Sequence, residues 1–363
     1  ARSALFLPFS NLGLIVVDEE HETSYKQFEP SPRYNARDAA IVLAKLHAAK
    51  ILLGSATPSL ESYFNTAQNK YGLVALNRRH GDVQLPKIEL IDVKEKQRKK
   101  EMKGHFSDRM LLLIQEALDA KEQVILFQNR RGYSPVVECK TCGVSPECPN
   151  CDVTLTFHKF KQELRCHYCN YQRAMPNSCG ACGSNTLDTK GFGTEQIEME
   201  LKVLFPDFKI GRMDLDTTRG KHGYQKIITA FESKEIDILV GTQMLSKGLD
   251  FENVSLVGIL NADTMLNFPD FRAHERAYQM MVQVSGRAGR SKKQGNVAIQ
   301  TYNPNHQILQ QVSTTRYAEM YKEQLQERWQ YKYPPYYRLI KITLKHRDYS
   351  KVDKGIDWLA KAL

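Results

Sequence analysis

Eight cysteines fall between Glu138 and Gly183, and each belongs to a C-x-x-C pair: Cys139/Cys142, Cys148/Cys151, Cys166/Cys169 and Cys179/Cys182. They are all the cysteines in the sequence. A C-x-x-C knuckle turns two thiolates toward one point, and two knuckles supply the four sulfurs of a tetrahedral structural Zn²⁺ site at about 2.3 Å. Four knuckles therefore predict two closed sites and two Zn²⁺ per chain. Of the three ways to pair the knuckles, only Cys148/Cys151 with Cys166/Cys169 encloses a loop in which runs 153–157 and 161–165 can form a hairpin. That leaves Cys139/Cys142 and Cys179/Cys182 to close an outer site. Disulfides and iron–sulfur ligation are the alternatives. Confinement of every cysteine to one short segment, in a long chain without a signal-peptide pattern, favours zinc. A closed four-sulfur site has no open position for substrate, so none of the eight is expected to be a nucleophile.

A second chemistry-bearing group is Asp18-Glu-Glu-His21, directly after the buried-strand pattern Leu14-Ile-Val-Val17. Carboxylates at the carboxyl end of a parallel strand lie where α/β sheets place ligands; Asp18 is suited to hold Mg²⁺ and Glu19 to polarise a water. The next buried-strand pattern, 50–53, runs into Gly54-Ser-Ala-Thr-Pro-Ser59. There Ser55 and Thr57 can relay hydrogen bonds between a nucleotide and a second site, and Ser59 can cap a helix. Between the two strands, Tyr25, Phe28 and Tyr34 are interleaved with Lys26 and Arg33 and broken by two prolines. These aromatics either stack on unpaired bases among phosphate-binding cations or pack back onto the domain. In Gln283-Val-Ser-Gly-Arg-Ala-Gly-Arg290, Arg287 and Arg290 lie three apart and are expected on one helical face, reaching one phosphate cluster. The two glycines beside them would cost a free helix about 1 kcal/mol each, which points to close approach of a ligand.

The elements that position these residues read as α/β. Helices are expected at 36–48 (capped by Asn35), 108–120 (capped by Ser107), 195–205, 223–232 and 273–281. Strands at 123–127, 209–213, 236–240 and 254–260 alternate with them at βα spacing, which predicts a parallel sheet. Residues 94–103 are charged and apolar-poor and are expected to form an exposed linker. The cysteine segment interrupts the α/β pattern and reads as an insertion. At 363 residues and 42% hydrophobic the chain is long enough for two or three cored domains. No apolar run approaches the roughly 18 residues of a membrane span, so a soluble, cytoplasmic protein is expected. The formal charge of +10 falls to +6 once eight thiolates and two Zn²⁺ are counted. That excess suits a phosphate-rich partner without demanding one.

Together DEEH (18–21), GSATPS (54–59), GTQMLSKGLDF (241–251) and QVSGRAGR (283–290) resemble motifs II, III, V and VI of superfamily 2 helicases. With the cysteine insertion, RSALFLPF (2–9) and ERWQYKYPPYYRL (327–339), the chain resembles the bacterial replication-restart helicases over essentially its whole length. The resemblance implies two RecA-like parallel-sheet lobes, the first incomplete, with a two-zinc domain of four-cysteine sites inserted in the second and the start of a C-terminal α+β domain. It places the C-terminal part of lobe 1 at 1–92, the linker and start of lobe 2 at 93–137, and the zinc insertion at 138–184. The rest of lobe 2 falls at 185–304, and a helical connection with the start of a last domain at 305–363.

The same resemblance implies ATP with Mg²⁺ in the cleft, 3′–5′ movement along forked and single-stranded DNA, and primosome and single-strand-binding proteins as partners. Asp18 resembles the Mg²⁺-holding residue and Glu19 the general base. His21, Gly248 and Asp250 resemble cleft residues, and Gln283, Arg287 and Arg290 the γ-phosphate sensor and arginine fingers. Ser55 and Thr57 resemble coupling residues and Thr242 a DNA-phosphate contact. The Tyr25–Tyr34 segment, with Phe28 and Arg33, resembles an aromatic-rich loop. One departure matters: no G-x-x-x-x-G-K-[ST] occurs, although that loop cradles the phosphates in this class. A piece truncated at both ends and inactive alone is therefore expected. A RecQ-type zinc-bearing helicase and a zinc-ribbon binding module without activity are the alternatives.

Overall fold

The computed structural model describes the chain apart from residues 1, 77–83, 129–135, 152, 159–161, 167, 189–192, 215–216, 219–222, 247–250, 290–293, 341, 343, 345 and 363. Gly248, Asp250 and Arg290 thus lie outside the described residues.

The first unit is small. Strand β1 (Leu14–Val17) is followed by helix α1 (Ala36–Leu46), strand β2 (Lys50–Leu53) and helix α2 (Leu60–Ala67). β1 and β2 pair in parallel from Leu14↔Lys50 to Val17↔Leu53. α1 starts where expected because the Asn35 side chain accepts from the Arg37 amide, and its Ala36, Ala40 and Ala44 bury one face. The expectation of buried strands is corrected: Leu14, Val16 and Leu52 are more than half exposed. Only one face of the pair is covered, and alternate side chains point away from α1. The apolar run 73–76 forms no strand and is exposed.

Strand β3 (Lys87–Asp92) opens the second lobe. Helix α3 (Val93–Arg98), strands β4 (Met102–Lys103) and β5 (Phe106–Ser107), helix α4 (Asp108–Asp119) and strand β6 (Gln123–Phe127) follow. The expected division after residue 92 is corrected, since β3 pairs in parallel with a later strand, from Lys87↔Asn296 to Asp92↔Thr301. The reason is its two apolar faces: Ile88 and Leu90 pack into one core and Ile91 into the other. The expected linker is corrected too. Asp92 caps α3 by accepting from the Glu95 amide, and Lys96 bridges Glu101 and Asp108, each at 2.8 Å.

After β6 come the short strands of the cysteine segment: β7 (Glu138–Cys139), β8 (Thr156–His158), β9 (Glu163–Arg165), β10 (Gln172–Ala174) and β11 (Leu187–Asp188). The α/β pattern then resumes with α5 (Thr194–Leu204), β12 (Ile210–Met213), α6 (Gly223–Glu232), β13 (Ile238–Gly241) and β14 (Val254–Ile259). Helices α7 (Asp263–Leu266) and α8 (Ala273–Ser285), strand β15 (Asn296–Thr301), and helices α9 (Gln307–Ser313), α10 (Tyr317–Gln330) and α11 (Tyr349–Ala362) complete the order. Among the described residues no helix is long and apolar enough to cross a membrane.

The six-stranded sheet runs β12-β13-β6-β14-β15-β3, with every neighbour parallel. Its period-2 alternation divides the core. Val124, Leu126, Ile238, Val240 and Leu256 face α4 and α5, whereas Ile125, Phe127, Leu239, Val257 and Ile259 face α6 to α9. The sheet is thus covered on both faces.

Gly258 is closely packed within the sheet and under α4: an added Cβ would come within 2.6 Å of Leu126 Cδ2 and 3.0 Å of Met110 Sδ. Gly258→Ala is expected to cost about 1–3 kcal/mol through overpacking. Gly286→Ala, whose Cβ meets atoms no closer than 3.4 Å, should stay within about 0.5 kcal/mol of wild type. Denaturant unfolding of the two variants checks the contrast.

Candidate functional site: two four-cysteine clusters and the seam between the lobes

The sulfurs of Cys139, Cys142, Cys179 and Cys182 lie within 4.8 Å of one another, and so do those of Cys148, Cys151, Cys166 and Cys169. This is the nested pairing. Sulfur separations of 3.6 Å for Cys139–Cys182 and Cys142–Cys179, and 3.5 Å for Cys148–Cys169, are far beyond a disulfide bond. They approach the edge of about 3.8 Å that a tetrahedron of Zn–S bonds would have. Left-handed residues turn three of the knuckles: Gly143, Asn170 and Gly183 have φ of 73°, 66° and 72°. The Gly143, Asn170 and Gly183 amides donate to the carbonyls of Cys139, Cys166 and Cys179. In the inner ribbon β8 and β9 form the expected hairpin, shorter than the sequence runs, and β10 adds a third antiparallel strand.

The donor chemistry fits a divalent cation. Burial, followed by the neighbouring sulfurs, pushes Cys148 up to about 11. Burial opposes ionisation of Cys139 as well, but the Cys142 and Thr141 amides outweigh it and bring the thiol down to about 6. Cys169 reaches about 6 in the same way, burial being outweighed by the Tyr171 amide and nearby donors. Cys139 and Cys169 thus ionise readily, one in each cluster, while Cys142 and Cys182 beside the first and Cys148 and Cys151 beside the second are pushed up.

In the first unit, the Asp18 carboxylate is exposed just past β1, and Glu19 follows in a left-handed conformation, φ 48°. His21 Nδ1 shares a 2.7 Å hydrogen bond with Ser55 Oγ and lies 3.5 Å from Glu19 Oε2. Ser55 Oγ also accepts from the Thr57 amide. Glu20, which no sequence pattern singles out, is buried and holds these segments together. It accepts from the Ser59 amide at 2.6 Å, from the Ser62 hydroxyl at 2.8 Å and from Arg37 at 2.9 Å. His21 and Gln283 line one small cavity with Gln243, Arg276 and Met280, so the acidic turn faces α8 of the other lobe.

The expected place of Arg287 is corrected, whereas Arg290 lies outside the described residues. α8 ends at Ser285, and Arg287 lies past the cap, buried and close enough for its charge to act on the Tyr224 phenol. It is therefore not on a helical face. The glycine requirement nearby also has a backbone cause: Gly289 has φ +70°, and an added Cβ on Gly295 would sit 2.4 Å from Ala288 and Gly289 backbone atoms. Thr242 stands at the end of β13, its amide donating to Met213 O at 3.3 Å. Part of the aromatic loop packs back onto the domain. Tyr25 Oη donates to Asp18 O at 2.6 Å, and Tyr34 packs edge-on against Phe6 at 4.9 Å. Phe28 and Arg33 remain exposed.

The lobes meet through polar groups. The Leu60 amide donates to Glu275 Oε1 at 2.9 Å, Gln279 donates to the carbonyls of Thr57 and Pro58, and Tyr317 Oη donates to Pro58 O at 2.8 Å. Arg328 donates to Glu275 and to Glu61, and Arg272 donates to Glu61 at 2.8 Å. Burial pushes the Glu61 carboxyl up, but Arg272 and Arg328 outweigh it and hold the group below its ordinary range. Sequence reasoning missed this cluster. The available signal was the stripe Glu275, Gln279, Gln283, spaced by four along one face of α8.

Residues 148–173 match the PriA DNA helicase Cys-rich region domain, and residues 188–292 match the helicase conserved C-terminal domain. The chain is 45% identical over 351 residues to the replication restart protein PriA of Bacillus subtilis, covering 97% of this chain and 43% of that protein. It is 44% identical over 349 residues to the replication restart protein PriA of Haemophilus influenzae, covering 96% of this chain and 47% of that protein. It thus spans about half the length of these curated relatives. Among solved structures, RecG bound to a three-way DNA junction aligns with 97% of this chain and 34% of that chain, at 12% identity and a TM-score of 0.47. With similarity to these relatives along nearly all of its length and a matching cysteine-rich region in the place its sequence assigns, the chain belongs to the PriA family of replication restart proteins.

Proposed function

We propose that the complete protein is a cytoplasmic, ATP-dependent 3′–5′ DNA helicase of replication restart. Its substrates are forked and single-stranded DNA, its partners primosome and single-strand-binding proteins, and each chain holds two Zn²⁺. The observation that carries this reading is the His21–Ser55 hydrogen bond at 2.7 Å. It ties the acidic turn to the Gly54–Ser59 turn, whose backbone is in turn held by Gln279 of the opposite lobe. A change at either end is thereby felt at the other, which is what coupling turnover to strand movement demands.

In this reading ATP would supply the phosphoanhydride and Mg²⁺ would offset the charge its phosphates develop. Asp18 would hold the cation, and Glu19 would take the attacking water's proton on a carboxylate oxygen. His21 passes the state of Glu19 to Ser55, and Thr57 carries it to the DNA side, where Thr242 meets a phosphate. By the family resemblance Gly248 and Asp250 would take part in nucleotide binding. Gln283, Arg287 and Arg290 act on the γ-phosphate from the second lobe. Exposed Phe28 and Arg33 are the loop groups left to meet DNA. The 363 residues contain no glycine-rich phosphate loop with its lysine, so turnover is assigned to the complete protein, and these residues alone are expected to be inactive.

Elemental analysis should find two Zn²⁺ per chain. Cys148→Ser should release the inner ion and keep the outer one, and equal loss of both would show that the sites are not independent. Chelation should unfold the cysteine segment, since metal affinity there is folding free energy. In the complete protein, Glu19→Gln should lower DNA-stimulated ATP turnover by about 10²–10⁴-fold with nucleotide binding retained. Arg287→Ala should lower it by about 10³-fold or more. Unchanged turnover in either variant rejects the corresponding role.

A further inference from the structure

The stretch Glu327–Leu339 has no part in the proposed chemistry, yet it supplies Arg328, whose side chain is almost fully buried at the point where α2, α8 and α10 meet. One guanidinium nitrogen of Arg328 donates to Glu275, and the other to Glu61 and to the Pro334 carbonyl. The Phe271 ring covers the guanidinium at 5.2 Å. Glu275 uses its other oxygen to accept from the Leu60 amide, the first helical residue after the Gly54–Ser59 turn. A carboxylate buried this deeply holds its place only while a cation neutralises it and its remaining acceptor capacity is filled.

We propose that Arg328 is a positioning residue for the Gly54–Ser59 turn. It fixes Glu275, and through Glu275 the Leu60 amide, so that the turn keeps its register against α8 while nucleotide is hydrolysed. The inference deepens the helicase reading and rests on it. A planar fork suits the task, because it reaches two carboxylates on different elements at once, whereas an ammonium acts as a point charge.

Two adjacent amides separate positioning from general weakening. The Ser59 amide donates to Glu20 within the first unit, and the Leu60 amide donates to Glu275 of the second lobe. In the complete zinc-loaded protein, Arg328→Met is expected to speed hydrogen exchange at Leu60 by about tenfold or more while Ser59 stays within about twofold of wild type. Its DNA-stimulated kcat should fall about tenfold with KM for ATP within about twofold. Arg328→Lys, which keeps the charge without the fork, should give a smaller rise at Leu60 of about threefold, and it carries the test if the methionine variant does not fold. Equal acceleration at both amides, no acceleration at Leu60, or a wild-type kcat in a variant with accelerated Leu60 exchange would each overturn the proposal. If the wild-type protein shows no turnover sensitive to Glu19→Gln, the helicase reading fails instead, and the exchange result stands apart from it.

Discussion

The buried carboxylate of Glu275 and the half-buried carboxylate of Glu61 share two guanidinium groups at the seam of the lobes. Taking such charges out of water costs several kcal/mol per ion, and the cost is offset only when the geometry satisfies nearly every donor and acceptor. The requirement falls on separate pieces of chain: Glu61 from α2, Arg272 and Glu275 at the start of α8, and Arg328 from α10. None of these elements can shift far without stranding a charge. The apolar contacts of the sheet lobe make it solid, but this cluster decides how the first unit sits on it.

The seam combines polar and aromatic contacts. Thr57 O, Pro58 O and the Leu60 amide are met by side chains of Gln279, Tyr317 and Glu275, and Tyr63 packs edge-on against Tyr317 and Tyr321. The neutral bonds of Gln279 and Tyr317 to backbone carbonyls lose little net free energy when water replaces the partner, whereas the bond to the Glu275 carboxylate holds the register. Two lobes joined in this way can separate and rejoin in a defined register. The cysteine module shares the arrangement: Tyr333 stacks on Phe271 at 4.4 Å, and its hydroxyl donates to Cys151 O at 2.8 Å. The outer cluster seats against the sheet lobe, where Gly143 leaves no room for a side chain beside Tyr302.

Local patterns were legible and distant ones were not. Knuckle spacing identified both cysteine clusters and their pairing, because the loop between Cys151 and Cys166 had one sensible use. The βα alternation was equally clear, down to the caps at Asn35, Ser59 and Ser107, since a cap is decided by a few neighbouring residues. By contrast, the partnership of Glu61, Glu275 and Arg328 spans more than two hundred positions, and no single charge in it looks unusual. Membership of β3 in the second sheet was not legible, because its partner β15 lies some two hundred residues away. Arg287 was misplaced for a smaller reason: the helical pattern before it gave no sign of stopping at Ser285. Burial of β1 and β2 was overstated because apolar sequence reports what a strand could bury, not what is there to cover it.

Helix α8 can also be viewed mechanically. Its 13 residues make a rod about 19 Å long. Glu275 pins it to the first unit near its leading end, and Arg287 follows just past its trailing end. A rod clamped at one end is a lever: a tilt of about 6° at the clamp carries the far end through about 2 Å. That travel is comparable to the difference between a formed and a broken hydrogen bond. The stiffness of one short helix thus links the position of Leu60 at one end to that of Arg287 just past the other.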